Sequence, residues 1–593
     1  MSGPRITKLK IKGYRSIDEW VTIRFPRADP LVLVGENNAG KSNVLRAMDL
    51  LIGDRWPNNY QPEDHEFYGR SSEGAEIKII AFVEGIQCGT CDGQIQELHW
   101  TFDSDEGRSP SYYCQGPCGH TWIKGPMRES LVCMSVGVNR DLAYQLSYNS
   151  KWTTLSKLMR KFHDRLVADE GRLDRLKAAY DSLVETFSEV DEFQIFREHL
   201  GTSFDDFGSN LQYGLEVDFS AYDPSNFFRS LRLFPQMDGE ARTYEELGTG
   251  QEQILAMAFA YAYAQAFGAG DGLVLAIEEP EAHLHPLAQQ WLARKLRELS
   301  TRGVQVVVST HSPYFIDLAS PGTAVFVRKN ATGSTSAVQL PPDKLVERLV
   351  DYGAPVEQVT TSSVGAFYEA ASTYDTLAAF FSRGCILVEG ATEQLALPVL
   401  LERAGLDLMK AGLSVVPVQG LGSMAKWVRL FRAHEIPVYA IFDTDSDKAA
   451  KDRARSLALG NEVLAALGAY PRAEDVVRPL TISSTYAYFD ANFEVGMGRM
   501  FAEYSALDTE ARAIVGDSKQ LRARFCARRL PDPAVAPEQW ASISELAGTI
   551  RVMVPELRSS SSDRTPSPRA GRARRPPVVV RRPTDATSGE TAP

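Results

Sequence analysis

The chain has 593 residues, too many for one ordinary hydrophobic core, so two or three domains are expected. Hydrophobic residues make up 44% and charged residues 24%, and no apolar run is long enough to span a bilayer, which excludes a helical membrane protein. The net charge of −12 argues against a uniformly basic nucleic-acid binder, but not against a local basic face or a set of cation-binding carboxylates.

In chain order, MSGPRITKLKIKGYRSI alternates like a strand and lacks the apolar core and cleavage site of a signal peptide, so a cytoplasmic location is expected. Residues 1–150 read as strands around one Gly-rich loop, LVLVGENNAGKSNVLRAMDLL. This G-x-x-x-x-G-K-S run has an apolar strand before it and an amphipathic helix after it. Gly35, Asn38 and Gly40 would shape a phosphate cradle of backbone N–H groups. Lys41 would meet the β and γ phosphates of ATP, and Ser42 would ligate Mg²⁺.

Two close cysteine pairs follow, Cys88-x-x-Cys91 and Cys114-x-x-x-Cys118, the second within the turn-rich YYCQGPCGHTW. The spacing predicts a zinc-ribbon-like hairpin over 88–120, with Zn²⁺ as a structural staple and His120 able to replace one thiolate. The alternative is a polar hairpin with unligated thiols. Cys133, Cys385 and Cys526 lie apart and read as small core residues.

Residues 151–215 turn helical and charged, and strand–helix alternation resumes over 216–330. In YEELGTGQEQILAMAFAYA, Gly248, Gly250 and Gln251 open a helix whose N–H groups could hold a γ-phosphate. GLVLAIEEPEAHLHP is a buried strand ending in Glu278, suited to Mg²⁺, and Glu279, suited to activating water. VQVVVSTHSPYFID is another, ending in His311.

After a bridging segment, 331–381, a second strand–helix–strand unit occupies 382–555. CILVEGATEQLALPVLLERAG places Glu389 at a strand end and Glu393 on the next helix. PVYAIFDTDSDK ends in Asp443, Asp445 and Asp447. In a parallel sheet such strand ends converge, and convergent carboxylates favour Mg²⁺ or Mn²⁺. The Ser-, Pro- and Arg-rich residues 556–593 read as a disordered basic tail.

Residues 1–330 resemble the ABC ATPase heads of the RecF/SMC/OLD group in the strand ending near GYRSI, the E-E-P-E-x-x-L-H-P run and the S-T-H-S-P run. That likeness implies a γ-phosphate-sensing role for His311, a Gly248–Gln251 signature acting across a dimer of heads, and a helical dimerisation insert at 151–215. The second unit resembles the Toprim domain of topoisomerases, primases and OLD (overcoming lysogenization defect) nucleases, with its Glu-Gly and D-x-D. The resemblance implies that Glu393 also binds metal, that Glu494 is a later metal-binding acid, and that Lys519 is the catalytic lysine, with Lys426 hard to separate from it.

The fold class expected is therefore α/β: an ABC-type head with a helical insert and a cysteine hairpin, then a Rossmann-like Toprim domain. The implied function is an ATP-regulated, metal-dependent DNA endonuclease, homodimeric or larger, in anti-phage defence beside a helicase-like partner. The rivals are a RecF-like DNA-binding ATPase without cleavage, a primase or topoisomerase relative, and a ribonuclease toxin.

Overall fold

The computed structural model describes residues 3–53, 56–104, 110–136, 153–191, 272–282, 284–330, 332–471 and 478–553, with scattered positions between 194 and 266. The Gly248–Gln251 signature and the basic tail lie outside them.

Three sheets of any size organise the described chain. The first is antiparallel and six-stranded: β1 (Arg5–Lys12), β2 (Val21–Arg24), β4 (Glu76–Glu84), β5 (Glu97–Asp103), β6 (Ser111–Gly116) and β7 (Gly119–Trp122), in the order β2-β1-β4-β5-β6-β7. EIKIIAFVE of β4 alternates buried and half-buried positions, as a sheet with one face on a core requires.

The second sheet holds β3 (Leu31–Val34), β8 (Val132–Val136), β11 (Leu273–Glu278), β12 (Gln305–Thr310), β13 (Ala324–Lys329) and β14 (Thr335–Gln339), ordered β14-β13-β3-β12-β11-β8. All pairings are parallel except that of edge strand β14. Its inner strands carry continuous apolar runs, such as LVLV of β3 and LVLAI of β11, because both faces are covered there. Val32 and Val34 face one core, whereas Leu31 and Leu33 face the other, shared with the antiparallel sheet. A two-residue ladder joins β9 (Gln236–Met237) to β10 (Glu240–Ala241).

Between β8 and β9 lie the helices Thr154–Val167 and Glu170–Ser188, the first capped by the Thr153 hydroxyl accepting from the Ser156 N–H. The boundary read at residue 330 falls between β13 and β14, so the head's sheet continues into the segment expected to bridge. Helices Pro342–Asp351 and Thr361–Ala371 then lead to the third sheet.

The third sheet comprises β15 (Gly384–Val388), β16 (Leu413–Pro417), β17 (Val438–Asp443), β18 (Leu480–Ile482) and β19 (Tyr486–Phe489), ordered β16-β15-β17-β19-β18. It is parallel apart from edge strand β18. Helix Ala391–Arg403 carries Arg403, which donates to the carbonyls of Ala527, Leu530 and Pro531. Those bonds tie helix Lys519–Arg529 to the helix that bears Glu393. Among the described residues, no helix is long and apolar enough to cross a membrane.

The head and the third sheet meet through Phe326, Phe380, Phe431 and His434, whose rings stack or meet edge-on at 4.7–5.4 Å. Beside them Arg328 of β13 donates to the carbonyls of His434 and Glu435, at 2.9 and 2.8 Å. A cation there sits at the C-terminal end of helix Leu421–Ala433 and serves the carbonyls of its C-cap residue His434 and of Glu435 just beyond. Arg328→Met is expected to cost about 2–4 kcal/mol of stability, the worth of two charge-assisted bonds. Urea unfolding measures it, and a loss below about 0.5 kcal/mol would mean the carbonyls are served equally well by water.

Candidate functional sites: a nucleotide loop and a carboxylate cluster

The central sheet brings the first site together by register. Thr310 pairs with Val34, and Glu278 with Ser309, so Gly35, Glu279 and His311 leave the same sheet edge. Within the loop, Asn38 has φ 63° and Gly40 φ 114°. A Cβ on Gly40 would lie 2.4 Å from the Thr335 hydroxyl, and one on Gly35 would lie 2.1 Å from the Val327 carbonyl oxygen. Both glycines are thus required by close approach as well as by any phosphate. Thr335 donates to the Ala39 carbonyl at 2.8 Å and contacts the Ser16 hydroxyl at 2.7 Å, while Asn43 donates to Ser16. Ser16 belongs to the GYRSI segment, so that segment braces the loop.

Lys41 is buried, and its three ammonium donors meet the carbonyls of Gly35 and Glu36 and the Nε2 of His311, at 2.9, 3.0 and 2.9 Å. Nε2 must then be the accepting nitrogen of a neutral ring. Burial, then the Lys41 charge, holds His311 below its usual range. Burial likewise lowers Lys41, against the raising pull of Glu279, Glu281 and Glu278. Glu279 reaches the same imidazole nitrogen at 3.7 Å, with φ 48°. Glu278 ends β11, half-buried, and Ser42 is half-buried on the first turn of the loop's helix.

Sequence reasoning assigned Glu281 no role. Its carboxylate accepts from the His311 N–H and from the Thr310 hydroxyl, so it fixes the backbone that carries His311. The third acid of E-E-P-E was its visible signal.

The second site lies at the strand ends of the third sheet. Val388 pairs with Ile441 and Asp443 with Phe489, which sets Glu389 beside Asp443. The Glu389 carboxylate accepts from the Asp443 N–H at 2.8 Å. Its pKa is pushed up to about 7, first by burial and then by the Glu393 and Asp445 carboxylates, against the Asp443 and Leu421 N–H groups. Glu393 accepts from the Gly390 N–H at 3.1 Å. Burial also raises Glu393 and Asp443, with Glu494 adding to both. Glu494 occupies the first turn of helix Phe493–Met500, which Asn492 caps. Lys519 stands 3.9 Å from Glu494, and its charge favours an ionised Glu393.

Lys426, the competing lysine, lies over the Phe367 ring at 4.1 Å. The D-x-D-x-D run divides. Asp443 joins the glutamates, Asp445 accepts from Ser456 and pairs with Lys448, and Asp447 is exposed. Asp490, which sequence reasoning passed over, is buried after β19 and accepts from Ser446, with Arg499 as its ion partner. These bonds hold the Asp445–Asp447 turn.

A third feature is the cysteine hairpin. The sulfurs of Cys88, Cys91 and Cys118 lie within 4.8 Å of one another, and Cys88 and Cys118 are 3.9 Å apart. A tetrahedral Zn²⁺ with about 2.3 Å bonds spaces its sulfurs by nearly that distance. The expected fourth ligand is not gathered in. Cys114 turns to Thr121, with Sγ 3.1 Å from the hydroxyl, and the His120 ring stacks on Tyr113. Among the described residues, these cysteines are the one group of three or more ligand-type side chains meeting that 4.8 Å span. The acids stand wider apart, as uncompensated like charges do.

Comparison with known proteins follows the same division. Residues 5–105 and 131–316 match the AAA ATPase domain family, and residues 380–445 match the TOPRIM domain of overcoming-lysogenization-defect-like proteins. The OLD nuclease of Thermus scotoductus is 26% identical over 460 residues, covering 74% of this chain and 82% of that protein. Endonuclease GajA of Bacillus cereus is 27% identical over 333 residues, 52% of this chain and 56% of that one. Among solved structures, an SMC head bound to the C-winged helix domain of ScpA aligns with 58% of this chain and 99% of its own, at 15% identity and TM-score 0.35.

The class is an ATPase joined to a TOPRIM domain. The matched TOPRIM domain and the relatives named OLD nuclease and endonuclease GajA are consistent with the OLD family.

Proposed function

We propose that this chain is an ATP-regulated, divalent-metal-dependent DNA endonuclease acting as a homo-oligomer. The observation that carries the reading is the gathering of Glu393, Glu494 and Lys519, from three helices, around Glu389 and Asp443 at the strand ends of a parallel sheet, on one chain with the nucleotide loop. Buried carboxylates that raise one another's pKa are stabilised by a cation, and hard oxygen donors select Mg²⁺ or Mn²⁺. Such ions, when bound, supply a polarised phosphodiester and an activated water. Glu389, Glu393, Asp443 and Glu494 would hold them, Asp445 and Asp447 would add charge at the rim, and the Lys519 ammonium would offset charge developing on the phosphate. Relatives named nuclease and endonuclease support hydrolysis.

In the head, Lys41 would exchange its carbonyl and imidazole partners for ATP phosphates. Ser42 and Glu278 would hold Mg²⁺, Glu279 would orient water and His311 would read the γ-phosphate. Gly248, Gly250 and Gln251 would come from a second head, with helices Thr154–Val167 and Glu170–Ser188 supporting the dimer. By resemblance the role is defence against phage or other mobile DNA, beside a helicase-like protein.

A substrate panel tests the reading. With Mn²⁺ and ATP, end-labelled duplex DNA should be cut and a structured RNA left intact. RNA cut with DNA spared would replace it with a ribonuclease.

For the cysteine hairpin the reading is structural zinc held by Cys88, Cys91 and Cys118, with Cys114 completing the set by rotation about its side-chain bonds. Metal analysis of purified protein should give about one zinc per chain, and Cys118→Ser close to none. Metal-free wild type of unchanged thermal stability would make the hairpin a zinc-independent fold.

A further inference from the structure

Helix Lys519–Arg529, KQLRARFCARR, carries five basic residues and no acidic one, in a chain whose net charge is −12. Its cations do different things. Arg522 and Arg529 pair with Asp508 and Glu510, which fastens the helix to its neighbour Tyr504–Val515. Ala523, Cys526 and Ala527 are buried against the domain. Lys519 opens the helix beside Glu494 and Glu393. Arg524 and Arg528 are exposed, and neither has an ion-pair partner among the described residues. Four residues apart, they share one outward face, spaced by about 6 Å.

We propose that this outward face, Arg524 with Arg528, is a track for the sugar–phosphate backbone of duplex DNA beyond the carboxylate cluster, on the side of the helix turned about 140–180° from Lys519. The proposal rests on the nuclease reading and says how the substrate is held. The acid cluster repels a polyanion unless cations fill it, so affinity for the flanking phosphates must come from elsewhere. A duplex carries one negative charge per about 1.7 Å of its axis, so a strand with a phosphate at the cluster has others within reach of a helix that starts there. Arginine suits the task because its planar donors pair with two phosphate oxygens at once. The contact reads no bases and predicts binding without sequence preference.

The test uses the full chain with Glu389→Gln, which keeps the substrate intact, in Mg²⁺, and a fluorescent duplex titrated at several salt concentrations. Each phosphate contact contributes about 0.9 to the slope of log K against log salt, so R524Q/R528Q should lower its magnitude by about 1.8. The charge-preserving R524K/R528K should restore most of the slope, which a merely structural role would not do. R348Q, on the exposed face of helix Pro342–Asp351, should leave the slope unchanged. A slope equal in R524Q/R528Q and its parent overturns the track while leaving the nuclease reading intact. If the parent binds no duplex and the wild type cuts none, the nuclease reading itself has failed.

Discussion

Glu389→Gln should abolish metal-dependent strand cleavage, by about 10²–10³-fold or more, while ATP turnover stays near wild type. The amide oxygen still accepts from the Asp443 N–H, so the strand ends keep their arrangement and only a ligand charge is lost. The position also predicts a pH dependence. The Glu389 carboxyl rises from an ordinary 4.5 to about 7 in the folded, metal-free protein. Across that window the native state holds a proton that the unfolded state has released, so this group's contribution to stability falls as pH rises. A bound cation removes that penalty. Thermal unfolding with and without Mn²⁺ should therefore show a larger metal-induced rise at pH 8 than at pH 6, and Glu389→Gln should shrink the difference. An equal rise at both pH values in wild type would place the metal elsewhere.

Lys41→Ala should reduce ATP hydrolysis by about 10²-fold or more, because the group that meets the β and γ phosphates is gone. It also strips the donor from the Gly35 and Glu36 carbonyls and the His311 ring, a local cost of about 1–3 kcal/mol. Circular dichroism and the melting temperature must accompany the ATPase assay for that reason. Cleavage measured beside it gives the sign of the regulation: faster in Lys41→Ala if nucleotide restrains the TOPRIM site, slower if it licenses it. An unchanged ATPase rate would remove this loop from the account.

The strand-end residues of both sites were legible because an apolar run declares each strand, whereas Glu393, Glu494 and Lys519 stand on helices and were named only through the resemblance. Gly35, Glu279 and His311 could be named without a structure, and so could Glu389 and Asp443, since parallel strands deliver their ends to one edge. Residues acting through hydrogen bonds between distant segments were not legible. Ser16 and Thr335 meet across the loop although 319 positions separate them, and Asp490, just after β19, holds the Asp445–Asp447 turn through Ser446. Glu281 sat inside a quoted motif, but its partners are a backbone N–H and a hydroxyl, which no spacing announces. Side-chain direction was equally hidden. Spacing gave Cys114 and Asp447 the same standing as their neighbours, whereas the fold turns the Cys114 thiol to Thr121 and leaves the Asp447 carboxylate exposed. The Lys519–Lys426 ambiguity is one of place, with one lysine beside Glu494 and the other over the Phe367 ring.

The most direct measurement is a time course of purified wild-type protein on supercoiled plasmid, in Mn²⁺ with ATP turnover recorded in the same tubes. Nicked and then linear plasmid is expected, with both products lost on chelation of the metal. Plasmid intact throughout, in tubes where ATP is being hydrolysed, would contradict the nuclease reading and leave a DNA-binding ATPase whose TOPRIM unit does not cut.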